Sequence, residues 1–201
     1  MPVLTWRACH LLLAASLAAA ADRPSEPDEG ILDDGWVTDI TLGAGLRTLA
    51  NEGWSGLEEG FAVGLDFCTE PPDWPIAIAG GVIDSYSTYE DGNDQEWSLT
   101  LLDWYLGVRR TERFGKFDVH YGGGFVGSYI RLNGGPEGAI REREGTAGAY
   151  AEAGLNWCFA GTWTLGLRGR YQISEHFRFT LGDDSGDTDG ATLLGTIGLR
   201  F

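Results

Sequence analysis

From Val37 to the end of the chain, apolar residues alternate with polar or small ones in blocks separated by Gly-, Pro-, Asp- and Asn-rich breaks. A period of two marks strands with one apolar face. In the last block, Ala191 to Phe201, Leu193, Ile197, Leu199 and Phe201 share a face around Gly195, while Leu194, Thr196, Gly198 and Arg200 share the other. The first block opposes Ile40, Leu42, Ala44 and Leu46 to Asp39, Thr41, Gly43, Gly45 and Arg47. The second opposes Phe61, Val63, Leu65 and Phe67 to Ala62, Gly64, Asp66 and Cys68. The third is expected to open at Trp74 and run to about Tyr89, with a bulge at Gly80-Gly81 because the alternation weakens after Ile83. Leu102, Trp104, Leu106 and Val108 oppose Asp103, Tyr105, Gly107 and Arg109 in the fourth. The fifth sets Phe117, Val119, Tyr121, Phe125 and Tyr129 against Asp118, His120, Gly122, Gly124 and Ser128. The sixth sets Ala147, Ala149, Ala151, Ala153, Leu155, Trp157 and Phe159 against Gly148, Tyr150, Glu152, Gly154, Asn156 and Cys158. The seventh sets Trp163, Leu165, Leu167, Tyr171 and Ile173, with an extension toward Phe177 and Phe179, against Arg168, Arg170, Gln172 and Ser174.

The breaks alternate in length, long after the odd blocks and short after the even ones. Such short connections imply an antiparallel meander. The expected fold is all-β: an eight-stranded antiparallel up-and-down transmembrane β-barrel over residues 37–201, with long extracellular loops, short periplasmic turns and both ends periplasmic. Alternation alone leaves open which face points outward, since a soluble lipocalin-type barrel would turn the apolar face inward. Two distributions favour the membrane arrangement. Phe67, Trp74, Trp104, Phe117, Trp157, Phe159, Trp163 and Phe201 lie on the apolar face toward the short-turn ends, as an interfacial girdle would. The other face carries Asp39, Asp66, Asp103, Asp118 and Glu152 together with Arg47, Arg109, Arg168, Arg170 and Arg200. Such charges are costly against lipid but can pair in a narrow eight-stranded interior.

Composition changes this picture in two ways. Met1 to Ala21 reads as a secretory signal, with Arg7 before the apolar run Leu11 to Leu17 and Ala19-Ala20-Ala21 before Asp22; residues 22–36 then form a periplasmic lead-in. The formal charge of −16 becomes −17 without Arg7, which excludes a generic nucleic-acid binder. Because the ten interior charges balance, the excess negative charge is assigned to the loops and the lead-in. Cys9 leaves with the signal, and Cys68 and Cys158 fall near the periplasmic ends of opposed strands. Two inward thiols are the preferred reading over a disulfide, which needs Cα atoms within about 7 Å.

WYLGVRR at Trp104 to Arg110, YGGGF at Tyr121 to Phe125, the strand from Trp163 to Tyr171 and the terminal Phe201 resemble the small bacterial outer-membrane β-barrels of OmpA/OmpX-type architecture. That resemblance implies an outer-membrane location, contact with outer-membrane lipids and lipopolysaccharide, and recognition of the closing strand by the barrel-assembly machinery. It specifies architecture better than activity, because such barrels include adhesins, structural proteins, small channels and lipid-modifying enzymes.

Candidate chemistry is sparse. Ser174-Glu175-His176 resembles the Ser, His and acid set of eight-stranded lipid A deacylases, but Glu175 points away from its neighbours and Ser174 falls on the interior face. Polar residues at the wet end of a strand are the preferred reading. His120 beside Asp118 is read as part of the interior hydrogen-bond network rather than a general base. The four aspartates in Gly182 to Gly190 admit weak divalent-cation binding, although the loop fails the EF-hand spacing: starting at Ser185, Thr196 occupies the place of the bidentate Glu. Gly122-Gly123-Gly124 sits mid-strand, with no helix to make a phosphate cradle, and either makes room for bulky interior neighbours or allows strand coiling. The expectation is a non-enzymatic barrel with a closed, salt-bridged interior and a structural or surface-interaction role, with no cofactor. The alternatives are a narrow porin-like channel and a lipid A-modifying enzyme.

Overall fold

A computed structural model describes residues 35–50, 54, 56–90, 92, 95–135, 140–175, 177–178 and 185–201. The expected export signal, most of the lead-in, His176 and Asp183-Asp184 lie outside the described residues. In chain order the strands are β1 (Val37–Leu49), β2 (Glu59–Glu70), β3 (Ala77–Glu90), β4 (Glu96–Phe114), β5 (Phe117–Gly134), β6 (Ile140–Phe159), β7 (Trp163–Ser174), β8 (Phe177–Arg178), β9 (Ser185–Gly186) and β10 (Gly190–Arg200). Seven of them, β1 to β7, close with β10 into an antiparallel barrel, while β8 and β9 pair separately in the last loop.

Closure joins β1 to β10 from Asp39 opposite Arg200 to Leu49 opposite Gly190. Past the last strand residue, Phe201 and Thr38 exchange both backbone hydrogen bonds, at 2.9 and 3.1 Å. Following partners once around the barrel from Leu102 leads through Asp84, Val63, Ala44, Gly195, Leu167, Leu155 and Val119 to Glu112. The path returns to β4 ten residues away (112 − 102). A stagger of that size forces every strand to tilt, because strand number, stagger and tilt are coupled.

The alternation is expressed with its apolar face outward. Ile40, Leu65, Val108, Phe125, Leu155, Leu167 and Ile197 are exposed on the wall, whereas Asp66, Asp103, Arg109, Glu152 and Arg168 are buried inside. A soluble barrel would have the reverse arrangement, so this is a membrane barrel whose strands meet lipid. Two wall glycines are covered by rings from the neighbouring strand: Trp104 lies over Gly127 and Phe67 over Gly80.

Several strand limits differ from expectation. β3 opens at Ala77; Trp74 belongs to the preceding turn, where its N–H donates to the Pro71 carbonyl at 3.3 Å. No bulge interrupts β3, whose register is continuous from Ile78 to Tyr86 against β2 and from Ala77 to Glu90 against β4. The alternation weakens there because Ile83 turns inward against Tyr105, Val126 and Leu194 while Asp84 faces out. The seventh strand ends at Ser174, and Phe177 pairs in the loop sheet instead. The β4–β5 turn, expected over Thr111 to Lys116, narrows to Gly115 and Lys116, with Gly115 at φ +64°, and the β5–β6 hairpin stays paired from Gly134 to Ile140, well into the loop expected over Asn133 to Glu144.

Candidate functional site

The ten interior charged residues form three separate groups stacked along the barrel. Nearest the short-turn end, Arg200 of β10 donates to both oxygens of Asp39, at 2.8 and 3.0 Å, and reaches Asp118 at 2.6 Å. The Cys158 thiol donates to the Asp118 carboxylate at 3.3 Å, and Thr38 and Thr69 hydroxyls meet at 3.1 Å. Cys68 and Cys158 are both free thiols.

The middle group spans the lumen. Arg109 of β4 grips Asp66 of β2 through both terminal nitrogens, at 2.9 and 3.0 Å, and Glu152 of β6 through Nε and Nη2, at 2.9 and 2.6 Å. Arg168 pairs with Asp66 at 2.7 Å and Arg170 with Glu152 at 2.6 Å. The Tyr105 hydroxyl donates to Asp66 at 2.6 Å. The Arg170 guanidinium lies over the rings of Tyr105 and Tyr150, 3.5 and 4.3 Å from their centroids. Planar, always-charged guanidinium suits such simultaneous pairing and stacking.

Above it, Arg47 of β1 pairs with Asp103 of β4 and donates to the Thr188 carbonyl at 3.3 Å, while Gln172 donates to the same carbonyl at 3.1 Å. Polar pairing then gives way to an apolar cap of Leu49, Trp54, Leu57, Leu99, Leu101 and Ile130. Loop residues supply part of that cap: Trp54 and Leu57 follow β1, and the Trp54 indole N–H donates to the Asp187 carbonyl at 2.7 Å.

By charge the groups hold one Arg with two Asp, three Arg with two acids, and one Arg with one Asp, giving −1, +1 and 0. Every one of the ten therefore stands in an ion pair, but in three clusters rather than one network. His120 and Asp118 are not joined: Asp118 is engaged by Arg200 and Cys158, and the His120 ring rests where a Cβ on Gly154 would come within 2.5 Å. Ser174 is held by the last loop, its hydroxyl accepting from the Thr188 N–H at 2.8 Å and donating to Asp189 at 3.2 Å. His176 lies outside the described residues, as does part of the Gly182 to Gly190 loop; no group of three or more metal-ligating side chains occurs among the described residues.

On the outer wall, Trp74, Phe117, Trp157, Phe159, Trp163 and Phe201 stand at the short-turn ends, with the Trp157 and Phe159 rings 5.2 Å apart. Trp104 does not. It pairs with Val82 and Gly127 in the body of β4, ten residues before Phe114. Phe67 stands on the outer wall three residues before the end of β2.

Sequence reasoning missed the apolar cap and the structural role of Tyr105 and Tyr150. The signal for the tyrosines was their placement on the small-residue face. A Cβ on Gly81 would lie 2.7 Å from the Tyr105 hydroxyl, and one on Gly107 would lie 2.6 Å from that of Tyr150. Gly122 and Gly124 are instead approached by β4 backbone, with carbonyl oxygens 2.3 Å from an ideal Cβ, so strand coiling accounts for them.

A closed eight-stranded barrel with an apolar wall and a paired polar interior is the architecture of the small outer-membrane barrels. No protein-family model matches the chain, and no curated protein matches it. Among solved structures it is similar to OprG from Pseudomonas aeruginosa, at 12% identity and TM-score 0.58, covering 82% of this chain and 95% of that one. Ail of Yersinia pestis, solved with the heparin analogue sucrose octasulfate, is 12% identical with TM-score 0.55, covering 83% and 99%. A major outer membrane protein of Thermus thermophilus is 12% identical with TM-score 0.55, covering 83% and 100%. These likenesses establish the fold.

Proposed function

We propose that the protein is an exported, integral outer-membrane barrel with a closed interior, acting as a structural or surface-interaction element rather than as a channel or an enzyme. The observation that carries this reading is the middle group. Asp66, Arg109, Glu152, Arg168 and Arg170, with Tyr105 and Tyr150, tie β2, β4, β6 and β7 together across the lumen. A wet path would have to break ion pairs whose members are buried, and a buried charge that loses its partner costs about 3–5 kcal/mol. The apolar cap adds a dry layer above.

Planar-bilayer recording tests the closed interior. Steady single-channel conductance from the unaltered protein overturns it; silence, with conductance appearing in Glu152→Ala, supports it. The engagement of Ser174 by Asp189 and Thr188 favours the non-enzymatic reading, and modified lipid A after overexpression would overturn it. Location is tested by membrane fractionation with heat-modifiable electrophoretic mobility.

A further inference from the structure

The β5–β6 hairpin continues the lipid-facing wall beyond the membrane belt. On β5 the outward positions run Phe125, Gly127, Tyr129, Arg131 and Asn133; on β6 they run Ala149, Ala147, Gly145, Arg143 and Arg141. Phe125 is 78% exposed and Tyr129 is exposed, so this column begins in the lipid belt and passes a tyrosine. Tyrosine favours the interface between hydrocarbon and headgroups. One two-residue step further, about 7 Å along the strand, the column turns to arginine.

The three arginines are adjacent. Arg131 is directly opposite Arg143, and Arg141 is opposite Asn133, whose side-chain oxygen accepts from Arg131 at 3.3 Å. Like charges set directly opposite on one face of a sheet repel. The chain carries 14 basic residues against 30 acidic ones, so three arginines gathered on one outward face run against its overall charge. An anion bound between them removes the repulsion, and paired guanidinium forks match phosphate geometry.

Below the arginines the wall is low. Gly145 has nothing closer to an ideal Cβ than the Ser128 carbonyl oxygen at 3.9 Å, and Ala147, Ala149, Ala151 and Ala153 continue the column down β6. At its lower end the column reaches a shallow recess of about 620 Å³ on the outer wall, bordered by Ala151, Ala153, Gly169, Tyr171, Ala191 and Leu193.

We propose that Arg131, Arg141 and Arg143 form a docking site for the phosphorylated headgroup of an outer-leaflet glycolipid of the lipid A class, with its acyl chains lying down the alanine column toward the Gly169 recess. The site rests on the outer-membrane reading above. Its charge is complementary to phosphate, and its place on the lipid-facing wall makes the occupant a membrane lipid rather than a soluble anion.

The test uses the full chain folded in detergent micelles and mixed with bisphosphorylated lipid A, dephosphorylated lipid A or phosphatidylcholine, with retained lipid read by native mass spectrometry. Selective retention of bisphosphorylated lipid A is expected, weakened about 30-fold in Arg131→Gln/Arg143→Gln. Arg131→Lys/Arg143→Lys should keep most of it. Arg110→Gln, an exposed wall arginine at the other end of the barrel, should match the unaltered protein. Equal retention of dephosphorylated lipid A, or retention by the Gln variant within twofold of the unaltered protein, overturns the proposal. So does binding of sucrose octasulfate that the Gln variant loses while lipid A is not retained, which would assign the arginines to a soluble glycan. Heat-modifiability is measured on the same samples. Its loss in the unaltered protein refutes the barrel reading itself, whereas its persistence without lipid selectivity refutes only the site.

Discussion

Up to the Arg47–Asp103 pair the barrel interior is held by ion pairs between strand residues; above that pair it is held by apolar side chains, some supplied by loops. In the lower region each partner sits on a barrel strand, so position is set by ladder register: Arg109, Asp66, Glu152, Arg168 and Arg170 meet because four strands hold them in place. In the upper region Trp54 and Leu57 fold back from the β1–β2 loop onto Leu99, Leu101 and Ile130. The contrast separates two ways of filling a narrow barrel. Pairing charges demands exact partners, because an unpartnered interior charge is severely penalised. Apolar packing tolerates approximate shape but needs area, which only folded-in loops can supply at the open end.

The largest expected effect comes from breaking the lower region. Glu152→Ala leaves Arg109 and Arg170 without that carboxylate and should destabilise the folded barrel by about 3–5 kcal/mol. Urea unfolding in detergent, followed by the heat-modifiable band, measures it. Adding Arg170→Ala should restore part of the loss, since it removes one of the orphaned charges; no recovery would show that Glu152 acts through packing alone. Trp54→Ala should cost about 3 kcal/mol. It should act locally, exposing the β1–β2 loop to protease while leaving conductance absent; conductance in this variant would make the cap, and not the ion pairs, the barrier.

Smaller effects sharpen the comparison. Tyr105→Phe removes the hydrogen bond to Asp66 while keeping the ring against Arg170, and should cost about 2 kcal/mol in the same unfolding measurement. Arg113→Ala breaks an exposed pair with Glu70, 2.5 Å long at the short-turn rim. It should change stability by no more than about 0.5 kcal/mol, and a larger change would extend the interior brace beyond the barrel. Deletion of Phe201 addresses a different quantity, the rate of assembly into membranes. It removes the two backbone bonds to Thr38 and should slow assembly more than it lowers the stability of barrels already formed.

Strand identity was readable wherever one face was uniformly apolar, as in β5, where Phe117, Val119, Tyr121 and Phe125 all face out. A bulge was wrongly expected in β3 because the interior itself becomes apolar there. Ile83 turns inward and Asp84 outward in β3, and Leu99 and Leu101 point into the cap from β4. A period of two survives such exchanges, but the residue classes that label inside and outside swap. The arginines of β6 were lost in the same way, because Arg141 to Glu144 reads as a charged loop until its pairing with β5 is known.

The order of residues along the chain determined on its own the strand number, the antiparallel meander, the alternation of long and short connections, and the set of ten charges sharing the inward face. These depend on local period and spacing. Only the folded barrel decided which of those charges meet, that they divide into three clusters, and that loop residues cap one end. The meeting of charges follows from the ten-residue stagger around the ring, which relates residues through all eight strands and leaves no trace in any local pattern.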